Sequence, residues 1–494
     1  MGPGQWADAG MYLQTVMLLL RADGSYAGTS RGRGNRMICT QFIDSYLSAS
    51  DVVTYRVRCA NPITRFASTR SHLWSYNMLT PQRRLWRRAT VLIALSTMFV
   101  TAIPAQASET NPIAEVAGAY AVFNEPGATG QRDYAVEEHF IELVEQTPAG
   151  EQISGAMFSW TRTEVASALA DAQARGVEVR LAVDKEGAGG TTNTDPNNEA
   201  IAILKSAGLT QLTFCSGPNN SGQQQTGCIA NRSYSINHQK LFSFSATNGM
   251  TDVIFTGSQN WTNSQNNQFN NAVIVHGDPN LYAFFGKHFD NMLGQRKNNN
   301  YFNSADGYYR TDDLSVTVYF SPRATSNGGN GTEASTDTIA RILSYIGTQQ
   351  GSCSLEVAHA SFTDARVAVA DQLVRIAKLG CDIKVLYGDM GSSVRSKLSA
   401  QSGISLKRFY DNDSSNENPV SVHSKYINFS GTYNAKPNRD IVFTGSQNLT
   451  GPALRNHDEV LLKVEIPEAT AAYADNFDLL WTRAACVNPP SGPC

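Results

Sequence analysis

Two histidine–lysine pairs, each followed by an asparagine at similar spacing, are the residues of this chain best suited to chemistry. His238-Gln239-Lys240 precedes Thr256-Gly257-Ser258-Gln259-Asn260, and His423-Ser424-Lys425 precedes Thr444-Gly445-Ser446-Gln447-Asn448. The hexamer Phe-Thr-Gly-Ser-Gln-Asn begins identically at Phe255 and at Phe443. One imidazole can attack while another protonates, so a matched pair implies one site assembled from two halves. Two ammonium groups and two amide donors around those imidazoles make an anion site. Phosphate suits it, because its charge is spread over several oxygens that each need a donor.

The elements that must position these groups are legible around them. Both His-x-Lys triplets lie in alternating stretches, Ile236 to Phe244 and Val422 to Phe429, which predict strands. Residues two apart on a strand share a face, so each His and Lys project together. A second strand then runs into Gly-Ser-Gln-Asn, where glycine permits a close backbone approach. The repeat extends outward. A helix over 164–175, Gly176 and a strand to Asp184 match a helix over 365–379, Gly380 and a strand to Tyr387. Ala121-Val122-Phe123 and Val318-Tyr319-Phe320 open the halves, and amphipathic helices near 281–293 and 469–481 close them. Alternating strands and helices predict the α/β class, with two similar sheet-bearing halves packed about a pseudo-twofold axis.

These motifs resemble those of the phospholipase D superfamily, whose signature is a duplicated His-x-Lys with a downstream Gly-Ser-x-Asn. The family usually carries an Asp five residues after the Lys. Ser245 and Ser430 stand there in this chain, as in members such as the tyrosyl-DNA phosphodiesterases that lack it. The resemblance implies catalytic roles for His238, Lys240, Asn260, His423, Lys425 and Asn448, with Ser258 and Ser446 in support. It also implies an orienting side chain after each Asn. Counting eleven residues on gives Glu459 in one half and Asn271 in the other. A carboxylate beside His423 would favour its imidazolium form, and an amide beside His238 would leave that ring neutral. On this reading His238 is the nucleophile and His423, backed by Glu459, the general acid; the inverse assignment stays open. A phosphohistidine then forms and is hydrolysed by water, with no metal and no cofactor. The expected substrate is a phosphatidylcholine-like phospholipid at a membrane or vesicle surface, giving phosphatidic acid. Nucleic acid is the alternative. His139, His276, His288, His359 and His457 have no partner in motif register and are expected to be structural or solvent-facing, and Trp261 to be packing.

The rest of the chain bounds where this happens. The basic run from Arg83 to Arg88, the apolar stretch to Ile103 and Ala105-Gln106-Ala107 read together as a secretory signal peptide. The expected organisation is a spurious or disordered extension over 1–77, a signal over 78–107 starting at Met78, and halves over 108–300 and 301–494. Cleavage near Ala107 would give a secreted, monomeric chain. Six cysteines remain after it, and nearest neighbours suggest Cys215–Cys228, Cys353–Cys381 and Cys486–Cys494 among fifteen possible connectivities. No Cys-x-x-Cys spacing supports a zinc site. A net charge of −3 with no basic stripe counts against a nuclease. Polar stretches over 187–198, 216–227 and 326–331 read as loops, the second expected at the rim of the site.

Overall fold

The computed structural model describes residues 38–42, 56–60, 117–127, 131–187, 193–217, 227–409 and 420–484. The chain divides into two compact units, Met1–Ala105 and Gln106–Cys494. In the first, Ile38–Phe42 pairs antiparallel with Arg56–Ala60. The expected signal peptide, Cys486 and Cys494 lie outside the described residues.

The second unit holds two sheets that repeat each other strand for strand. The first contains β1 (Gly118–Phe123), β2 (Gln152–Met157), β3 (Glu178–Asp184), β4 (Gln211–Cys215), β5 (Lys240–Thr247), β6 (Met250–Gly257) and β7 (Asn271–His276), in the order β1-β7-β6-β5-β2-β3-β4. The second contains β8 (Tyr308–Arg310), β9 (Val316–Ser321), β10 (Ser354–Phe362), β11 (Asp382–Met390), β12 (Ile404–Arg408), β13 (Lys425–Tyr433), β14 (Lys436–Gly445) and β15 (Glu459–Val464), in the order β8-β9-β15-β14-β13-β10-β11-β12. β2, β3 and β4 run parallel, as do β10, β11 and β12, and the remaining pairings are antiparallel. The α/β class and the two similar halves are therefore as the sequence implies, with β8 as an added edge strand.

Strand residues alternate between two environments, as a strand covered on both faces requires. In β5, Phe242 and Phe244 pack under the outer helices Ala135–Glu145, Thr163–Ala174 and Glu199–Ser206, whereas Leu241 faces inward. In β13, Ile427 and Phe429 face the outer layer formed by Thr338–Leu343, Val367–Lys378 and Ser392–Ser399, and Tyr426 faces inward. The outer helices bury one face each. Ala135–Glu145 does so with Val136, Phe140, Leu143 and Val144, the spacing of an apolar helical stripe. Gly176 and Gly380 follow the matching helices at φ +96° and +92°, the left-handed geometry of a helix end.

Between the sheets, one core takes residues from both halves together with helices Pro279–Leu293 and Pro467–Arg483. Tyr473 of the latter is fully buried, its ring 5.0 Å from that of Phe123 in β1 and 4.8 Å from that of Tyr426 in β13. Two disulfides join neighbours in this frame, Cys215–Cys228 and Cys353–Cys381, the pairings expected from proximity. The second ties the starts of β10 and β11.

His288 of Pro279–Leu293 is a fully buried imidazole. It stacks 3.6 Å from Phe320 of β9, with Nδ1 3.1 Å from the Tyr301 hydroxyl and Nε2 3.0 Å from the Gln239 side-chain oxygen. Burial pushes its pKa down to about 3. A pKa lower in the folded than in the unfolded chain gives stability that is complete above pH 6.5 and lost as pH falls towards 3. The melting temperature is therefore expected to fall across that window. His288→Gln should lower it at pH 7 but flatten its pH dependence; parallel curves for the two proteins would contradict the assignment.

Candidate active site

Both His-x-Lys triplets straddle the start of a strand rather than lying within one. β5 begins at Lys240 and β13 at Lys425. The residues just ahead leave their own sheet and pair with the opposite half. Asn237 forms a parallel bridge with Asp458, and Ser421–Val422 pairs in parallel with Gln268–Phe269. The His238 backbone N–H donates to Asp458 O at 3.0 Å, and that of His423 to Phe269 O at 2.9 Å. Each histidine is thus held at the seam by the half that does not contain it.

The orienting side chains follow the same crossing. His238 Nδ1 lies 2.9 Å from Glu459 Oε1, and His423 Nδ1 lies 2.9 Å from Asn270 Oδ1. Two expectations are corrected here. Glu459 backs His238, not His423, because β15 meets the segment before β5 across the seam. The amide counterpart is Asn270, not Asn271, because the connection after Gly-Ser-Gln-Asn is one residue shorter in the first half. It holds a 3-10 turn, Asn263–Asn267, where the second half has the helix Gly451–Arg455. The serines confirm the equivalence: Ser446 Oγ donates to Glu459 Oε2 at 2.5 Å, and Ser258 Oγ to Asn270 Oδ1 at 2.7 Å. Asn271 instead accepts from the Lys425 backbone N–H at 3.0 Å and donates to Thr444 Oγ1 and the Tyr473 hydroxyl.

The glycines of the motif admit this packing. A Cβ on Gly257 would lie 2.1 Å from Asn271 O, and one on Gly445, at φ +149°, 2.3 Å from Val460 O. Without them the neighbouring strand could not bring its orienting residue to the site.

The ammonium groups converge with the imidazoles. Lys240 Nζ donates to His238 O at 2.5 Å and Lys425 Nζ to His423 O at 2.7 Å. Both lysines are buried, as are Asn260 and Glu459. Asn260 Oδ1 and Asn448 Oδ1 are buried with no partner among the described residues, one in each half. Burial pushes Lys240 down to about 7, opposed by Glu459, and pushes Glu459 up to about 8, opposed by Lys240 and Ser446. Both imidazoles are driven well down, first by burial and then by the two lysines, so they are neutral at pH 7. With Glu459 ionised, its bond to Nδ1–H fixes the His238 tautomer and leaves the Nε2 lone pair free. The arrangement can therefore hold an anion among two cations and two amides, attack it from one ring and exchange a proton with the other.

The family model described as "Cardiolipin synthase, PLD-like domain" matches this chain twice, over residues 143–293 and 347–481. The chain belongs to the phospholipase D-like family. It is accordingly a phosphodiesterase-type enzyme, and the two matched segments fall on the two repeated halves. No curated protein sequence matches it. Among solved structures, the polyphosphate kinase of Porphyromonas gingivalis is 14% identical over 76% of this chain and 53% of its own, with a TM-score of 0.48; this chain thus spans about half its length. Phosphatidylserine synthase of Haemophilus influenzae is 10% identical over 75% of this chain and 87% of its own, with a TM-score of 0.48. Nuc of Salmonella typhimurium, a phospholipase D family member, is 19% identical over 36% of this chain and 96% of its own, with a TM-score of 0.26.

Two histidines expected to be structural lie at the site. The His457 ring is 6.1 Å from that of His238, and His359 pairs in register with Lys425. Neither belongs to a repeated motif, so spacing gave no sign of them. Trp261 is fully buried against Phe140 and Phe255, as expected of a packing residue. Asp458 adds a further support. Its carboxylate accepts from the Ile229 and Ala230 backbone N–H groups, directly after Cys228, which anchors the end of the expected rim loop beside Glu459.

If Glu459 orients the His238 ring and Lys240 neutralises the bound anion, activity needs Glu459 without its proton and Lys240 with it. The first condition improves as pH rises through about 8, and the second fails as pH rises through about 7. A narrow bell in kcat/KM centred between those values is expected. Glu459→Gln should remove its rising limb and lower kcat by about 10²- to 10⁴-fold. An unchanged profile in that variant would exclude the carboxylate from the chemistry.

Proposed function

We propose that this chain hydrolyses phospholipids to phosphatidic acid and a head-group alcohol through a phosphohistidine on His238. The observation carrying the reading is the unequal pair at the seam, His238 on Glu459 and His423 on Asn270. N-phosphorylation of a ring that keeps its Nδ1–H leaves that ring positively charged. A carboxylate at 2.9 Å stabilises that cation, whereas an amide oxygen does so far less. His238 is therefore the nucleophile, for the opposite electrostatic reason to the one the spacing suggested.

The diester is held by Lys240, Lys425, Asn260 and Asn448. His238 Nε2 forms a bond to phosphorus as the bond to the leaving oxygen breaks, and His423 gives that oxygen a proton. The neutral His423 then takes a proton from water. The resulting hydroxide equivalent attacks phosphorus and releases His238. Dividing one displacement into two is covalent catalysis, and the cations are supplied by side chains. Secretion after cleavage near Ala107 and action as a monomer at a vesicle surface complete the proposal.

A nucleic-acid phosphodiester is the second reading. The large hydrophobics exposed among the described residues are Tyr234, Tyr308, Leu314 and Tyr345, which do not form the broad apolar patch that favours a bilayer.

The test is head-group release from phosphatidylcholine and phosphatidylglycerol vesicles, beside cleavage of single-stranded DNA, all with chelator present. Release of choline or glycerol, lost in His238→Asn, is expected. Acid-sensitive phosphate on His238 should accumulate in His423→Asn and be detected by mass spectrometry. DNA cleavage without lipid turnover would replace the first reading by the second, and loss of activity on chelation would overturn the mechanism.

A further inference from the structure

The phosphate site extends asymmetrically across the second sheet. Lys425 of β13 is in register with His359 of β10, His359 with Tyr387 of β11, and Tyr387 with Arg408 of β12. Register partners on adjacent strands stand on the same face. The four therefore form a row leading away from the catalytic lysine, at the carboxyl ends of the parallel strands. The first half provides the control. There Lys240 is followed by Met157, Val183 and Phe214 at the same register positions. Apolar side chains suffice to complete that layer, so packing alone does not call for an imidazole and a phenol in the other.

The imidazole of this row has a ring nitrogen that the fold does not use. His359 is 3% exposed, and its Nδ1 is buried without a partner. Tyr387, its register partner on β11, is 4% exposed. A polar group buried without a bond is destabilising, and such groups are normally satisfied. Arg408, next in the row, donates from Nε to Gly388 O.

We infer that His359 and Tyr387 form the subsite for the leaving alcohol, and that this alcohol carries hydroxyl groups. The inference rests on the phospholipid reading. The row begins at Lys425, two residues from the proton donor His423, and the leaving oxygen must reach that donor. Burial, then Lys425 and Arg366, hold the His359 imidazole well below its ordinary pKa, so it is neutral and can both donate and accept. The phenol can do the same. A glycerol-like head group satisfies both side chains. A choline head group has neither donor nor acceptor, and its fixed positive charge would lie beside Lys425.

Head-group release from dihexanoyl phosphatidylglycerol and dihexanoyl phosphatidylcholine tests this, with cleavage of bis(p-nitrophenyl) phosphate measured in parallel. The wild-type chain should prefer the glycerol lipid by about 10-fold or more in kcat/KM. His359→Met installs the residue that the first half carries at that position, and Tyr387→Phe removes a single oxygen. Each should bring the ratio towards one, chiefly by slowing the glycerol lipid. Should His359→Met fail to fold, Tyr387→Phe still decides. A ratio unchanged in the variants, or a wild-type preference for choline, overturns the subsite. Cleavage of the aryl diester with release from neither lipid overturns the phospholipid reading instead.

Discussion

A carboxylate from one half holding the imidazole of the other is the contact on which this site depends. The 2.9 Å bond between Glu459 and His238 forms only if β15 of the second sheet meets the segment entering β5 of the first. That meeting is prepared by the backbone. Asn237 and Asp458 pair in parallel, and Gly445 lets β15 approach its own sheet closely enough for Ser446 to brace the carboxylate. The shared inner core and Tyr473 hold the halves in the orientation that keeps this bond. The first half folded alone would bury Lys240 beside His238 without Glu459, the carboxylate that most opposes the loss of its charge.

Much of this was legible in the chain. The duplicated motif located the two His–Lys pairs that the fold brings together, and the helices and glycines around it gave the repeat. The partner of each orienting residue was not legible. Spacing along the chain says how far Glu459 lies from Asn448, but not which histidine it meets, because that contact is made across the seam. Asn271 stands eleven residues after Asn260, as Glu459 stands after Asn448. A 3-10 turn where the other half has an α-helix shortens the path by one, and a one-residue shift in a strand turns the side chain to the opposite face. Asn271 accordingly binds the Lys425 backbone, and Asn270 meets His423. His359 and His457 were missed for a related reason. Their place at the site comes from register with another strand and from the seam, and neither repeats.

The two halves share a scaffold and differ where charge matters. At the orienting position, glutamate stands opposite asparagine. On the sheet row next to the lysine, His359 and Tyr387 stand where the first half has Met157 and Val183. A symmetric pair would give two equal nucleophiles competing for one phosphorus. In the proposed mechanism, placing the carboxylate on one imidazole alone selects which ring can carry the positive charge of a phosphorylated intermediate.

The site is poised by its own burial. Two lysines and two imidazoles are all held below their ordinary pKa values, first by desolvation and, for the imidazoles and Lys425, then by neighbouring cations. An arriving diester brings the negative charge this cluster lacks, and so raises the proton affinity of every group in it. On the mechanism proposed above, the lysines would regain their charge, and His423, without a carboxylate of its own, would take up the proton it delivers. His238 is already paired to Glu459 through Nδ1, and on that mechanism it would present Nε2 to phosphorus rather than to a proton. In the proposed mechanism, substrate binding and arming of the acid are then one electrostatic event, and the single carboxylate at the seam decides which histidine is armed and which attacks.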